Sequence, residues 1–404
     1  MRRALVLVHR WFGLAAAAFL FVAGLTGAVI SWDHELDGWL NPQFFEARSE
    51  GPAKPTLELA AQVEAADARV RVTYLPLNVE PGHALGMSVA PRVDPKTGAL
   101  FEPGYNQVAV DPATGEVQGR REWGAISLDR ENLLPFLYKL HYSLHLPEFG
   151  AFRLGVWLFG LIAIGWVIDC AIALAISFPS PAAWRKSFAF RWRKGGYPLV
   201  FDAHRSGGVW LWPLLLIIAI TSVSMNLGNE VTRPVVSWFS TLSPSPFASR
   251  APAPLNQPVE PKLGFAQAIA LAKDEASRRG WTLPAGAVFY SPDFGIYGVG
   301  FFEPGNDHGD GGLGNPWLYF DALDGRPAGE VVPGEGSAGD LFMQLQFPLH
   351  SGRIAGVAGR ALMSVLGLSV ATLSVTGVVI WLRKRRARRA QAAPERALGP
   401  RAPA

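Results

Sequence analysis

Residues 9–32 read HRWFGLAAAAFLFVAGLTGAVISW. From Trp11 to Trp32 that is 22 residues without a charge. At about 1.5 Å of rise per residue, such a helix crosses a hydrocarbon core of roughly 30 Å. Three more runs have the same character. Leu154–Phe178 has 25 residues with Asp169 as its one charge; Ser206–Asn229 (24 residues) and Ala361–Leu382 (22 residues) have none. Buried helices of a soluble protein rarely reach four such lengths, so four transmembrane helices are expected. Arg2 and Arg3 give the first run the look of a secretory signal. It is longer than a typical h-region, and no clear small-x-small cleavage site with a polar flank follows, so a retained anchor is expected.

The bulk composition conceals this pattern. Of 404 residues, 49% are apolar and 17% charged, a balance that argues against disorder. The single cysteine, Cys170, excludes a disulfide framework, a thiolate zinc site, a Cys-ligated iron–sulfur cluster and CxxCH haem attachment. A net charge of +4 predicts no nucleic-acid partner. Along the chain the charge is segregated. Residues 31–150 carry 17 acidic and 10 basic residues, residues 227–350 carry 13 and 7, and the remainder carries 20 basic and 3 acidic. The basic residues crowd into Arg2–Arg3, Arg185–Lys194 and Arg383–Arg389.

By the positive-inside rule those three clusters face the cytoplasm. Both termini are then inside, in the inner membrane of a bacterium, and two acidic domains lie in the periplasm. The expected order is a cytoplasmic start (1–10), spans at 11–32, 151–178, 206–229 and 351–382, outside domains at 33–150 and 230–350, a basic loop (179–205) and a basic tail (383–404). The tail beyond Arg389, rich in Ala, Pro and Arg, is expected to be disordered.

The two halves share a grammar that points to internal duplication. His9-Arg10 precedes the first span and His204-Arg205 the third. Each outside domain opens with apolar residues at helical spacing: Leu59, Val63, Ala66 and Val70 in one, Phe265, Ile269, Ala272 and Ala276 in the other. Alternating strands follow, as in residues 70–74. Each domain then has a strand running into an Asp–Gly turn, at 108–115 and 318–325. Each half ends on Leu-His, at Leu144-His145 and Leu349-His350.

Together the His-Arg-Trp-Phe-Gly start (9–13), the DPxTG turn (111–115), Leu140-His141-Tyr142-Ser143-Leu144-His145, Asp202-Ala203-His204-Arg205 and Leu-His-Ser-Gly (349–352) resemble the PepSY-associated transmembrane helix family. This is the "iron-regulated membrane protein" group, and within it the chain is similar to inner-membrane ferric-siderophore reductases. The resemblance covers about residues 5–385. It implies four membrane helices, two periplasmic α+β PepSY-like domains, and b-type haem carried by membrane histidines.

Six of the eight histidines fall at span ends: His9, His34, His141, His145, His204 and His350. Any one of them could simply occupy the interface. As a set they pair by depth: His9 with His204 near the cytoplasmic face, His145 with His350 near the outer face. Non-covalent haem between helices takes two neutral imidazoles on different helices, so two haem b groups fit this pattern. His141 is four residues from His145 and is expected on the same helix face, as an alternative ligand, part of a substrate site or a proton donor. His34 ranks second as a candidate. His83 and His308 read as solvated loop residues.

Arg10, Arg205, Arg153 and Arg353, with Arg360 behind them, accompany the candidate ligands and suit haem propionates or an anionic substrate. Arg10 and Arg205 also serve the positive-inside rule, and Arg153, Arg353 and Arg360 could snorkel to lipid headgroups. Asp169 is an ionisable group inside a span, either a proton relay or a structural polar contact. The span tryptophans Trp157, Trp166, Trp210 and Trp212 suit a lipid belt or packing against haem.

The leading expectation is electron transfer across the bilayer to a periplasmic acceptor held between the two acidic domains. The resemblance implies that this acceptor is Fe(III) in a siderophore or other chelate. No GxGxxG lies between a strand and a helix, so the donor, a quinol or a cytoplasmic reductase, comes from elsewhere. The alternatives are a non-enzymatic anchored PepSY binding or regulatory protein and a component of a chelate permease.

Overall fold

The computed structural model describes residues 1–150, 152–247 and 249–397. In chain order its helices are α1 (Arg2–Ile30), α2 (Asp33–Leu40), α3 (Thr56–Ala66), α4 (Leu133–Ser143), α5 (Leu154–Ser177), α6 (Gly196–Leu227), α7 (Arg233–Ser237), α8 (Phe265–Arg278), α9 (Ala338–Ser351) and α10 (Gly356–Ala397). Its strands are β1 (Val70–Pro76), β2 (Leu85–Pro91), β3 (Gln107–Val110), β4 (Val117–Arg121), β5 (Glu148–Phe149), β6 (Phe152–Arg153), β7 (Ala285–Ser291), β8 (Ile296–Phe301), β9 (Trp317–Asp321) and β10 (Pro327–Val331). The chain forms two compact units: residues 1–31, 140–228 and from 361 onward make one, residues 32–139 and 229–360 the other.

The first unit is helical. Four stretches are long and apolar enough to cross a membrane: Arg2–Ile30, Leu154–Ser177, Gly196–Ser237 and Arg353–Gln391. Their close approaches are made by glycine, as expected where helices pack without a hydrophobic drive between them. Gly24 of α1 and Gly367 of α10 each face the other's backbone carbonyl, with no room for a methyl. Ser364 Oγ donates to the Ala28 carbonyl at 3.0 Å beside that crossing. Gly160 of α5 receives Leu227 of α6, and Gly165 receives Phe12 of α1.

The helix ends differ from expectation. Residues 2–10 are already helical, and α6 begins ten residues before 206. The fourth span does not begin at 351: Gly352 (φ 77°) ends α9, and Gly356 (φ 56°) starts α10. Only glycine enters that region without strain, so the two glycines separate the helices. Beyond 382, α10 continues to Ala397, through basic residues that are good helix formers. Residues 398–404 of the expected tail lie outside the described residues.

The second unit is α+β, and here the expected pair of outside domains is corrected. Its strands form one eight-stranded antiparallel sheet in the order β10-β9-β8-β7-β1-β2-β3-β4. The halves join through β1 and β7, with Tyr74 opposite Phe289, Leu75 opposite Val288 and Pro76 opposite Ala287. Kept apart, each half would leave a long apolar edge strand unpaired; pairing removes both edges. The core is continuous across the seam. Leu59 and Val63 of α3 share it with Val70, Leu75, Val108 and Val110, and with Ala272 of α8, Val288, Val299, Phe301 and Phe320.

The helices and Asp–Gly turns expected from spacing are present. In the turn after β3, Asp111 accepts from the backbone N–H groups of Ala113, Thr114 and Ser49 at 3.0, 3.0 and 2.7 Å. Burial alone would raise its pKa, but the N–H donors outweigh it and hold the carboxyl below its ordinary value. Gly115 (φ 84°) and Gly325 (φ 74°) close the two equivalent turns, each donating its N–H to the carbonyl of the leading Asp.

Candidate functional site

A cavity of about 440 Å³ opens in the helical unit. It is lined by the starts of α1 and α6 and the ends of α5 and α10, so the four helices alternate in direction around it. His9 and His204 face each other there, with ring centres 6.1 Å apart and planes inclined by 54°. Two imidazoles bound to opposite sides of one iron, each nitrogen about 2 Å from the metal, leave their ring centres about 6 Å apart.

Both rings are anchored through Nδ1. His9 Nδ1 lies 3.0 Å from each carboxylate oxygen of Asp169. His204 Nδ1 meets the Leu373 carbonyl at 3.0 Å and Thr376 Oγ1 at 3.2 Å. A carboxylate or carbonyl acceptor takes a hydrogen bond from the Nδ1 proton, and in the neutral imidazole that leaves the lone pair on Nε2 for a metal. Gly377 lets the His204 ring approach α10, since a Cβ there would stand 3.0 Å from the ring.

Arg10 and Arg205 line the same cavity. The Nε atoms of both are buried without a hydrogen-bond partner among the described residues. Arg205 stacks on Phe201 and donates to the Lys186 carbonyl; Arg10 lies over Trp11. Asp202, which the sequence places beside His204, holds Arg191 at 2.7 Å, tying the basic loop to α6, and also pairs with Arg205 at 3.6 Å. Among the described residues no three His, Cys, Asp or Glu side chains converge on a bare metal ion. Two imidazoles suit an iron whose other ligands come from a porphyrin, and two cationic forks suit its carboxylates. The residues present fit a haem.

A second anchored imidazole sits toward the far end of α1. His141, on α4, places Nδ1 3.1 Å from Thr26 Oγ1 and within hydrogen-bond reach of the Ala23 carbonyl. Gly27 makes room for its ring, as Gly377 does for His204. The partners are equivalent: a threonine, the carbonyl three residues before it, and the glycine after it.

His145 is placed otherwise. It was expected to share a helix face with His141, but α4 ends at Ser143, and Leu144 (φ 53°) and His145 (φ 52°) turn left-handed. That conformation is uncommon for a residue other than glycine, and here the His145 N–H donates to Ser143 Oγ at 3.2 Å. Gly155, at the start of α5, abuts the Ser143 carbonyl so closely that no side chain would fit. His350 lies in the last turn of α9, in the sheet-bearing unit, whereas His145 belongs to the helical one. His34, on α2, packs edge-on against Phe45 at 5.1 Å.

The arginines beyond the cavity have protein partners or open surroundings. Arg353 binds Asp310 at 2.7 Å and Asp33 at 3.8 Å. Burial raises the Asp33 carboxyl, against the pull of His308 and Arg353. Arg360 binds Glu35 at 2.5 Å and covers Trp32. Arg153 is exposed in β6, just before α5. Trp166 and Trp212 line the cavity, and Trp212 Nε1 donates to the Cys170 carbonyl at 2.8 Å.

Sequence reasoning missed Thr26-Gly27 and Thr376-Gly377. Their signal is a repeated Thr-Gly-x-Val-Ile, at 26–30 and 376–380. It falls late in spans that run in opposite directions, so a search for repeats in chain order passes over it.

The family model described as the PepSY-associated TM region matches residues 6–384. No curated protein matches the chain.

Proposed function

The chain belongs to the PepSY-associated TM region family and is a multi-pass membrane protein, and from that premise we propose that it carries electrons across a bacterial inner membrane. The observation that carries the proposal is the facing pair His9–His204, each ring anchored through Nδ1 beside a cavity with two cationic forks. Haem b bound there would supply one-electron Fe(III)/Fe(II) chemistry, which no side chain of this protein provides.

His9 and His204 would hold its iron, and Asp169 and the Leu373 carbonyl would keep those rings in the ligating tautomer. Arg10 and Arg205 would bind its propionates and fix its rotation. The apolar wall of Trp166, Leu215, Val370 and Leu373 excludes water from the ring faces. His141 is the favoured ligand of a second haem, because its Nδ1 is held as that of His204 is. The basic clusters set the orientation, with both termini cytoplasmic and the sheet periplasmic. The matching order of helix, four strands and helix in the two halves supports an internal duplication.

The proposed reaction is one-electron reduction of Fe(III) in a periplasmic chelate, siderophore or other, by electrons from a quinol or a cytoplasmic reductase. An oxygen cage holds the harder Fe(III) more strongly than Fe(II), so reduction loosens the iron. An anchored binding protein would have no use for opposed, tautomer-fixed imidazoles in its membrane region.

An absorbance spectrum of the purified protein tests this reading. The expected result is a dithionite-reduced α-band of six-coordinate haem b, with about two haems per chain. A folded, colourless protein overturns it.

A further inference from the structure

We propose that Asp169 is a positioning residue that makes the His9–His204 centre the lower-potential of the two; this rests on the haem reading above. Asp169 is the single ionisable residue in the apolar run Leu154–Phe178 apart from the Cys170 thiol. Its side chain is 11% exposed, and among the described residues its ion pair is with His9 alone. His9 Nδ1 is equidistant from both carboxylate oxygens, at 3.0 Å. The other two anchored rings meet neutral acceptors: Leu373 and Thr376 for His204, Thr26 and Ala23 for His141.

That difference has an electronic consequence. A carboxylate accepts the Nδ1 proton more strongly than a carbonyl or hydroxyl, so Nε2 becomes a stronger donor to the metal. The carboxylate also places a full negative charge in a low-dielectric interior. Both effects favour Fe(III), which carries one more positive charge than Fe(II), and so lower the reduction potential. The cations lining the cavity, Arg2, Arg10, Arg205, Lys384 and Arg388, act in the opposite sense. Arg10 and Arg205 would be neutralised by propionates, and Arg205 also has the buried Asp202 carboxylate 3.6 Å away. A lower potential at the basic end makes electron passage toward the His141 end downhill.

Anaerobic redox titration of the full-length protein, followed at the reduced α-band, tests the assignment. The wild type is expected to show two midpoint potentials, the lower one missing from His204→Ala. In Asp169→Asn that midpoint should rise by at least about 59 mV, tenfold in a one-electron equilibrium. Asp169→Glu, which keeps the carboxylate, should restore part of the shift. A purely structural Asp169 would change haem content or thermal stability and leave the midpoint where it was, and that result overturns the proposal. If Asp169→Asn binds no haem at this site, the wild-type order decides: loss of the higher-potential centre in His204→Ala overturns it. A protein without any haem refutes the parent reading, and the proposal falls with it.

Discussion

The imidazole of His204 rests against Gly377, where a Cβ would stand 3.0 Å from Cε1. One missing side chain on α10 thus sets the position of a ring on α6. A larger residue must displace the ring and break its bonds to Leu373 and Thr376. Gly377→Leu should therefore leave a folded protein that has lost about half of its haem. Gly207→Ala, on the same helix as His204 but not among the residues lining the cavity, where a Cβ would meet nothing within 4 Å, is the control. Pyridine haemochrome assay with thermal unfolding reads both, and unchanged haem in Gly377→Leu would sink the idea.

The equivalence of His141 with His204 yields a second prediction. His141→Ala should remove one haem of two, whereas His145→Ala should keep both. Haem stoichiometry of the two variants decides. The reverse outcome would restore His145, the histidine favoured by its alignment with His350.

The seam between β1 and β7 predicts that the sheet unfolds as one body. Leu75 and Val288 are opposite each other and fully buried. Leu75→Ala should cost about 2–5 kcal/mol. Hydrogen exchange should show β2 and β8 losing protection together. Loss confined to β2 would mean that the halves are independent.

Asp111 links the sheet to pH. Its folded-state pKa is held below the unfolded value, so its contribution is complete above the unfolded carboxyl value of about 4. That contribution disappears as pH falls through the lower, folded value. Asp111→Asn should be less stable at neutral pH and lose less stability on acidification. Thermal melts of both proteins from pH 7 to pH 3 measure the difference; parallel curves would contradict it.

The helical face at Leu59 and Val63, and that at Phe265, Ile269, Ala272 and Ala276, were legible because amphipathic spacing is local. The Asp–Gly turns at 111–115 and 321–325 were legible for the same reason. The pairing of β1 with β7 was not, because each strand reads as a normal strand of its own half. His145 misled in a similar way. Its spacing of four from His141 puts both on one face only while a helix continues, and the helix ends at Ser143.

By itself the sequence determined the four apolar runs and the segregation of charge. Those follow from chain length against bilayer thickness and from residue chemistry. Only the tertiary structure decided which histidines are anchored and by what. His9 meets Asp169 across 160 positions, and His204 meets Leu373 across 169. Such contacts arise where glycines let helices and rings approach within a side chain's width, a property of packed pairs of elements.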